Sequence, residues 1–168
     1  MNASVTSASG LAGPVQSIIR WLAVAAQIAA PPLLRIALAV PFFRSGLTKW
    51  DGFLSLSPSA AFLFEEEFKL HILGQAYSFP FPDTLAFVDS VAEIVLPTLL
   101  VVGLATRFSA LGLLVMTGVI QLVVPEGWAN FHLPWASIAI AIIALGPGRL
   151  SLDHLIALRW SCQGRSPR

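Results

Sequence analysis

Four stretches of this chain stay apolar for about as long as a membrane is thick, and that feature limits its folds more than any other. A spanning helix needs about 20 mostly apolar residues, within a range of roughly 17–25. The segments are Pro32–Trp50, Thr84–Leu104, Phe108–Val124 and Phe131–Leu145. Pro82-Asp83 offers a start for the second, with Asp83 as N-cap, Pro125 ends the third, and Gly146-Pro147-Gly148 stops the fourth. Hydrophobic residues make up 56% of the chain and charged ones 11%, against roughly 25% charged in a soluble domain. A soluble core cannot absorb that much apolar surface, whereas lipid can. The expected fold is therefore all-α, a four-helix transmembrane bundle. It forms one membrane domain over residues 14–160, between a disordered leader at 1–13 and a basic tail at 161–168.

Three further stretches are amphipathic. Val15–Ala30 is apolar but interrupted by Gln16, Arg20 and Gln27, and Pro31-Pro32 separates it from the first span. It reads as an N-terminal helix lying in the membrane interface, with a fifth span as the competing reading. Ser57-Pro58 supplies an N-cap and first position for a short amphipathic helix to Leu73, ended by Gly74. Ser151 caps a terminal helix reaching Trp160.

Positive charges set the orientation, because cytoplasmic loops are enriched in Lys and Arg. Arg20, Arg107, Arg149, Arg159, Arg165 and Arg168 fall on one side. The other side holds Lys49 and Lys69 among Asp51, Glu65, Glu66, Glu67, Asp83 and Glu126. Four spans then place both termini in the cytoplasm of a bacterial inner membrane, with the Ser57–Leu73 helix in the first periplasmic loop. Net charge is +1, so nothing marks a nucleic-acid partner. The single cysteine, Cys162, excludes an intramolecular disulfide, a CxxC pair and a thiolate-rich metal site. Membrane lipids are the first expected partner, and a homo-oligomer is compatible with the chain.

The informative residues are the polar ones inside the spans. Each ionisable side chain there costs roughly 2.5–3.5 kcal/mol on insertion scales, so each needs a partner or a wet cavity. Span one holds Arg35, Arg44 and Lys49, span two Asp89 and Glu93, and span three Gln121. At a rise of about 1.5 Å per residue, Arg44 falls roughly 5 Å outward of the membrane centre, Asp89 roughly 8 Å outward and Glu93 within about 2 Å of it. Asp89 and Glu93 share a helix face at i, i+4 spacing. The simplest closure pairs Arg44 with both carboxylates, and Gln121 and His132 fall in the same outer half. Pro41 and Pro97 free the carbonyls of Ala37 and Glu93 in the same region.

Two readings of this cluster stand side by side: an ion pair that locks helix register, or a pocket for a quinone, a small anion or a proton. Arg35 is expected to snorkel to the cytoplasmic interface, and Lys49-Trp50 to anchor at the outer one. A lone His132 beside Trp135 is a weak metal signal, so no metal site is expected. The chain has no P-loop, dinucleotide fingerprint, HExxH motif or GxSxG elbow. No catalytic residue can be named, and the chain alone is not expected to turn anything over.

Three runs carry a family resemblance: RIALAVPFFRSGLTKW, AEIVLPTLLVVGLATRFSALGLLVMT and ALGPGRLSLDHLIAL. They resemble the DoxX family of small bacterial membrane proteins, over roughly residues 32–158. Arg44, Gly46 and Lys49 match the family's span-one pattern, Ala92-Glu93 its span-two pair, and Gly103 with Arg107 its loop. The insert Phe53–Pro82 and the run PEGWANFHLPW resemble a branch found beside small metal-binding peptide proteins in bacterial operons. The resemblance implies four membrane helices and an association with redox chemistry, as in a membrane subunit of a thiosulfate:quinone oxidoreductase. It implies a quinone as ligand, an oxidative- or metal-stress setting, and a protein partner that carries the chemistry. Three functions remain open: a subunit of a redox module, a non-enzymatic accessory or transport component in metal-stress handling, and a structural scaffold. With one cysteine, a disulfide-exchange role is doubtful.

Overall fold

A computed structural model describes residues 12–163; the leader up to residue 11 and the tail from residue 164 lie outside them. Four helices are long and apolar enough to cross a membrane, over Gly13–Leu47, Pro82–Val102, Thr106–Val123 and Pro125–Leu145. In chain order these are α1 (Ala12–Leu47), α3 (Pro82–Val102), α4 (Thr106–Val123) and α5 (Leu133–Leu145), the last entered through tight and wide helical turns over Pro125–Gly127 and Trp128–His132. A short α2 (Pro58–Phe62) lies in the first connection, and α6 (Leu152–Gln163) closes the described chain. The multi-pass bundle expected from the hydropathy is the fold observed.

Its core is built from every spanning helix. Leu38, Ala39 and Phe42 of α1 meet Leu100 of α3, Ala110 and Leu113 of α4, and Ala139 and Ile142 of α5. Two glycines let helices touch. A Cβ on Gly46 would stand 2.9 Å from the Glu93 Cβ, and one on Gly112 would stand 2.8 Å from Leu96. Between them they set α1 against α3 and α3 against α4. Gly103 ends α3 with a left-handed φ of 77°, and the Leu104 amide returns to the Leu99 carbonyl, which satisfies the last turn.

The structure corrects three local expectations. The break at Pro31-Pro32 is absent, because α1 runs unbroken from Ala12 to Leu47 with both prolines inside it. In lipid no water takes over a freed carbonyl, so ending the helix there would orphan more groups than two prolines do. Pro31 also packs against Gly148. The second correction concerns Ser57–Leu73. Ser57 does cap α2, accepting from the Ala60 amide, but α2 ends at Phe62 and a wide turn covers Leu63–Glu67. Strands β3 (Lys69–Ile72) and β4 (Gln75–Ser78) then form a hairpin. Leu73 and Gly74 have φ of 50° and 80°, the two left-handed residues of a tight hairpin turn. Gly74 is a hairpin glycine, not a helix stop. Third, the residue capping α3 is Phe81, not Asp83, which sits in the first turn. A smaller hairpin, β1 (Trp50–Gly52) with β2 (Ser55–Leu56), follows α1 directly.

The helices are offset along the bundle. Gly46, at the last turn of α1, lies level with Glu93, and from there α3 continues to Pro82 for about 16 Å more. At the opposite end Arg35 lies level with Gly103 at the end of α3. At the Lys49 end α1 thus stops well short of its neighbour, and α2 with the turn after it fills the space above. At the Arg35 end α1 overshoots, and residues 13–29 are exposed along their whole length.

Candidate functional site: a charged cavity under the first connection

The shortfall of α1 leaves a cavity of about 420 Å³, walled by α1, α3, α4 and α5 and roofed by α2, the Leu63–Glu67 turn and Phe79. That volume falls in the usual range for small-molecule sites, about 300–1,000 Å³. Most of its wall is apolar and aromatic. Phe42 and Trp135 pack at 5.2 Å between ring centroids, while Phe64 meets Phe68 edge-on at 5.2 Å and Phe79 at 6.0 Å.

One polar patch interrupts this wall. The Lys49 ammonium donates to Asp89 Oδ2 and lies 2.8 Å from Glu93 Oε2. It also stands 5.3 Å from the centroid of the Phe64 ring, within cation–π range. Glu93 is 4% exposed. Its Oε2 is held by the Lys49 ammonium, and the residue lines the edge of the cavity. Ser45, Thr48 and Ser59 add hydroxyls to the lining. One cation against two carboxylates leaves the patch one positive charge short of neutral.

Of the residues expected to cluster, the structure brings together Lys49, Asp89 and Glu93. Arg44 is not among them. It is exposed on α1 and its own side chain lines no part of the cavity. Lys49, expected as an interfacial anchor, takes the place assigned to Arg44. The helix period explains the exchange. Phe42, Gly46 and Lys49 recur on the buried stripe of α1, and Arg44 stands opposite. That signal was legible in Leu38, Phe42 and Gly46, and following it to the end of the helix would have found Lys49. The aromatic roof carried no comparable signal, because tertiary folding alone brings Phe64, Phe68 and Phe79 over the end of α1.

Gln121 and His132 pair with each other. His132 Nδ1 is 2.6 Å from Gln121 Oε1, and the Gln121 amide donates to the Pro125 carbonyl at 3.1 Å. They fix the turn between α4 and α5 behind the cavity, where His132 packs at 5.6 Å from Trp135.

A second charged group lies at the opposite end. Arg35, expected to snorkel, is 2% exposed. It donates to the Leu150 carbonyl and, at 3.4 Å, to that of Pro31. Asp153, from α6, accepts from the Ala105 and Thr106 amides at 2.8 and 2.9 Å and so caps α4 from outside. Burial pushes the Asp153 carboxyl upward, but these amide bonds and the nearby Arg35 outweigh it and hold the group below its ordinary range.

The comparisons with known proteins agree with this architecture. The DoxX family model matches residues 30–126, which include α1 from Ala30, the roof, the cavity carboxylates and α4. An uncharacterized protein of Haemophilus influenzae is 32% identical over 145 aligned positions, covering 74% of this chain and 81% of that protein. No solved structure matches the chain. With the family model matching more than half of a chain that has four helices long and apolar enough to cross a membrane, the chain belongs to the DoxX family of membrane proteins.

Proposed function

We propose that the cavity binds a flat, largely apolar molecule with hydrogen-bonding oxygens, a quinone, and that this chain is the quinone-holding membrane subunit of a redox module. The observation that carries the reading is the buried Glu93 carboxylate, ion-paired to Lys49 at the edge of an otherwise apolar and aromatic cavity. The Lys49 ammonium would donate to one ligand oxygen, and the hydroxyls of Ser45 and Thr48 lie within the same wall. Glu93 would hold a proton on its carboxyl group, which also neutralises a patch that is otherwise one charge short. The phenylalanines over α1 exclude water and stack on the ring. A bound quinone supplies two-electron chemistry, and a partner protein supplies the electrons.

On this reading the Lys49 end faces the periplasm of a bacterial inner membrane, and both termini are cytoplasmic. The overshoot of α1 continues beyond the bundle on the cytoplasmic side, with Gln16, Arg20 and Gln27 on one face of it. A small anion fits less well, since Arg44 is outside the cavity and Lys49 already faces two carboxylates. Among the described residues no three His, Cys, Asp or Glu side chains form a metal-binding group, so no observation favours metal handling over the redox reading.

The test is thermal stability of the purified protein with short-chain ubiquinone, menadione, thiosulfate, Cu and Zn. A rise in Tm with a quinone for wild type, absent in Glu93→Gln, supports the proposal. A rise with a metal alone moves the reading to metal handling. No rise with any ligand reduces the cluster to a structural ion pair.

A further inference from the structure

Arg44 is the residue that the cavity leaves unexplained. It is exposed, and among the described residues no carboxylate pairs with it. Its depth makes this costly. Gly46 is level with Glu93, and α3 runs on from there to Pro82 for about 16 Å. Arg44, half a turn further in, is therefore about 19 Å from the outer start of α3 and about 14 Å from Arg35 at the other end of the bundle. The hydrocarbon layer is about 30 Å thick, so Arg44 sits near its middle. An arginine stem does not snorkel that far, and no phosphate headgroup descends to it.

The surface around Arg44 is also patterned. Ala30, Leu33, Ala37, Val40, Arg44 and Leu47 follow a three-four spacing along α1, and all but half-buried Ala30 are exposed. That is the seam of a left-handed helix pair, with small residues at every seventh position where backbones approach most closely. Arg44 occupies the next such position.

We infer that this face of α1 docks a transmembrane helix of a different protein, one that brings a carboxylate to Arg44 near mid-membrane. A second copy of the chain fits worse. A symmetric pair about this seam sets Arg44 against Arg44, and like charges in so dry a place reject each other. The charge that demands a partner thus also selects against self-pairing. The cavity opens on a neighbouring side of α1, where Pro41 and Thr48, at i−3 and i+4 from Arg44, line its edge, so the docked helix would border it.

The inference can be tested without knowing the natural partner. Labelled protein is reconstituted in phosphatidylcholine vesicles with labelled synthetic helices of Ala and Leu, identical except for Asp or Leu at the centre. The Asp helix is expected to associate at least tenfold more tightly by energy transfer. Arg44→Leu abolishes the difference, and Arg44→Asp reverses it in favour of a helix with central Lys. Equal association of both helices with wild type overturns the inference, and so does a preference that survives in Arg44→Leu. Disulfide formation between copies of Val40→Cys, in a Cys162→Ser background, overturns it in favour of a second copy. The wild-type comparison needs no variant to fold, and none of these readouts depends on whether the cavity binds a quinone.

Discussion

Two cations, Arg35 in α1 and Lys49 in the turn just after it, lie near opposite ends of the bundle and are used differently. Arg35 lies among backbone carbonyls, with α6 folded against it and the Asp153 carboxylate capping the neighbouring helix. Lys49 lies against side-chain carboxylates at the edge of a void. Both places bury charge in a low-dielectric setting, where removing one member strands the other. At the Arg35 end Nε and Nη2 close on fixed backbone carbonyls while Nη1 has no hydrogen bond, and the group holds the fold. At the Lys49 end a cavity adjoins the ion pair, so the group can also hold a ligand. What separates a lock from a site is the void beside it, and the void comes from the shortfall of α1.

The largest effect is expected at the lock. Gly103→Val puts a side chain where Arg35 Nη1 would be 2.1 Å from its Cβ, at a left-handed φ. Overpacking and strain together should remove roughly 2–4 kcal/mol, read as a fall in Tm with ligand response intact in whatever protein remains folded. Lys49→Met should cost about as much, since the buried Glu93 and half-buried Asp89 carboxylates lose their cation. Here the comparison sharpens, because Lys49→Met/Glu93→Gln should be more stable than Lys49→Met alone, as Glu93 no longer contributes an uncompensated charge. If the double variant is worse, the outer group is a lock as well.

Glu93→Gln alone should change Tm by less than either and abolish the quinone-induced rise. An equal loss of stability from Glu93→Gln and Gly103→Val would erase the distinction between the two ends. The smallest effect is expected from Asp153→Asn, which keeps an amide acceptor but loses the negative charge at the start of α4, about 0.3–1 kcal/mol. Because the folded Asp153 carboxyl titrates below its unfolded value, about 3.9, its contribution is complete above that pH and lost as the pH falls through the folded pKa. The difference in Tm between wild type and Asp153→Asn should therefore shrink in acid and stay constant from pH 5 to 8.

The roof of the cavity shows where reading along the chain fails. Lys69, Leu70, His71 and Ile72 alternate as a strand does, yet a helical start at Ser57-Pro58 and a glycine at 74 also fit one longer helix. Over so few residues the two periods compete, and the left-handed turn at Leu73-Gly74 decides for the hairpin. At Pro31-Pro32 the local rule was sound, and the lipid setting overrode it. At Arg44 and Lys49 estimated depth favoured Arg44 for the carboxylates, but the two cations differ by more than a quarter turn around the chain's helical path, and Lys49 is on the buried side.

The sequence by itself determined that the chain crosses a membrane four times, where three of the spans end, and that Asp89 and Glu93 share a face inside it. Those features depend on hydropathy, length and helical period, which are properties of neighbours in the chain. Only the tertiary structure decided which cation the carboxylates receive, that a cavity lies beside them, and that phenylalanines from the first connection close it. These depend on how far each helix extends relative to the others. That offset is set by close contacts between distant residues, Gly46 on Glu93 and Gly103 on Arg35, and no local pattern in the chain encodes it.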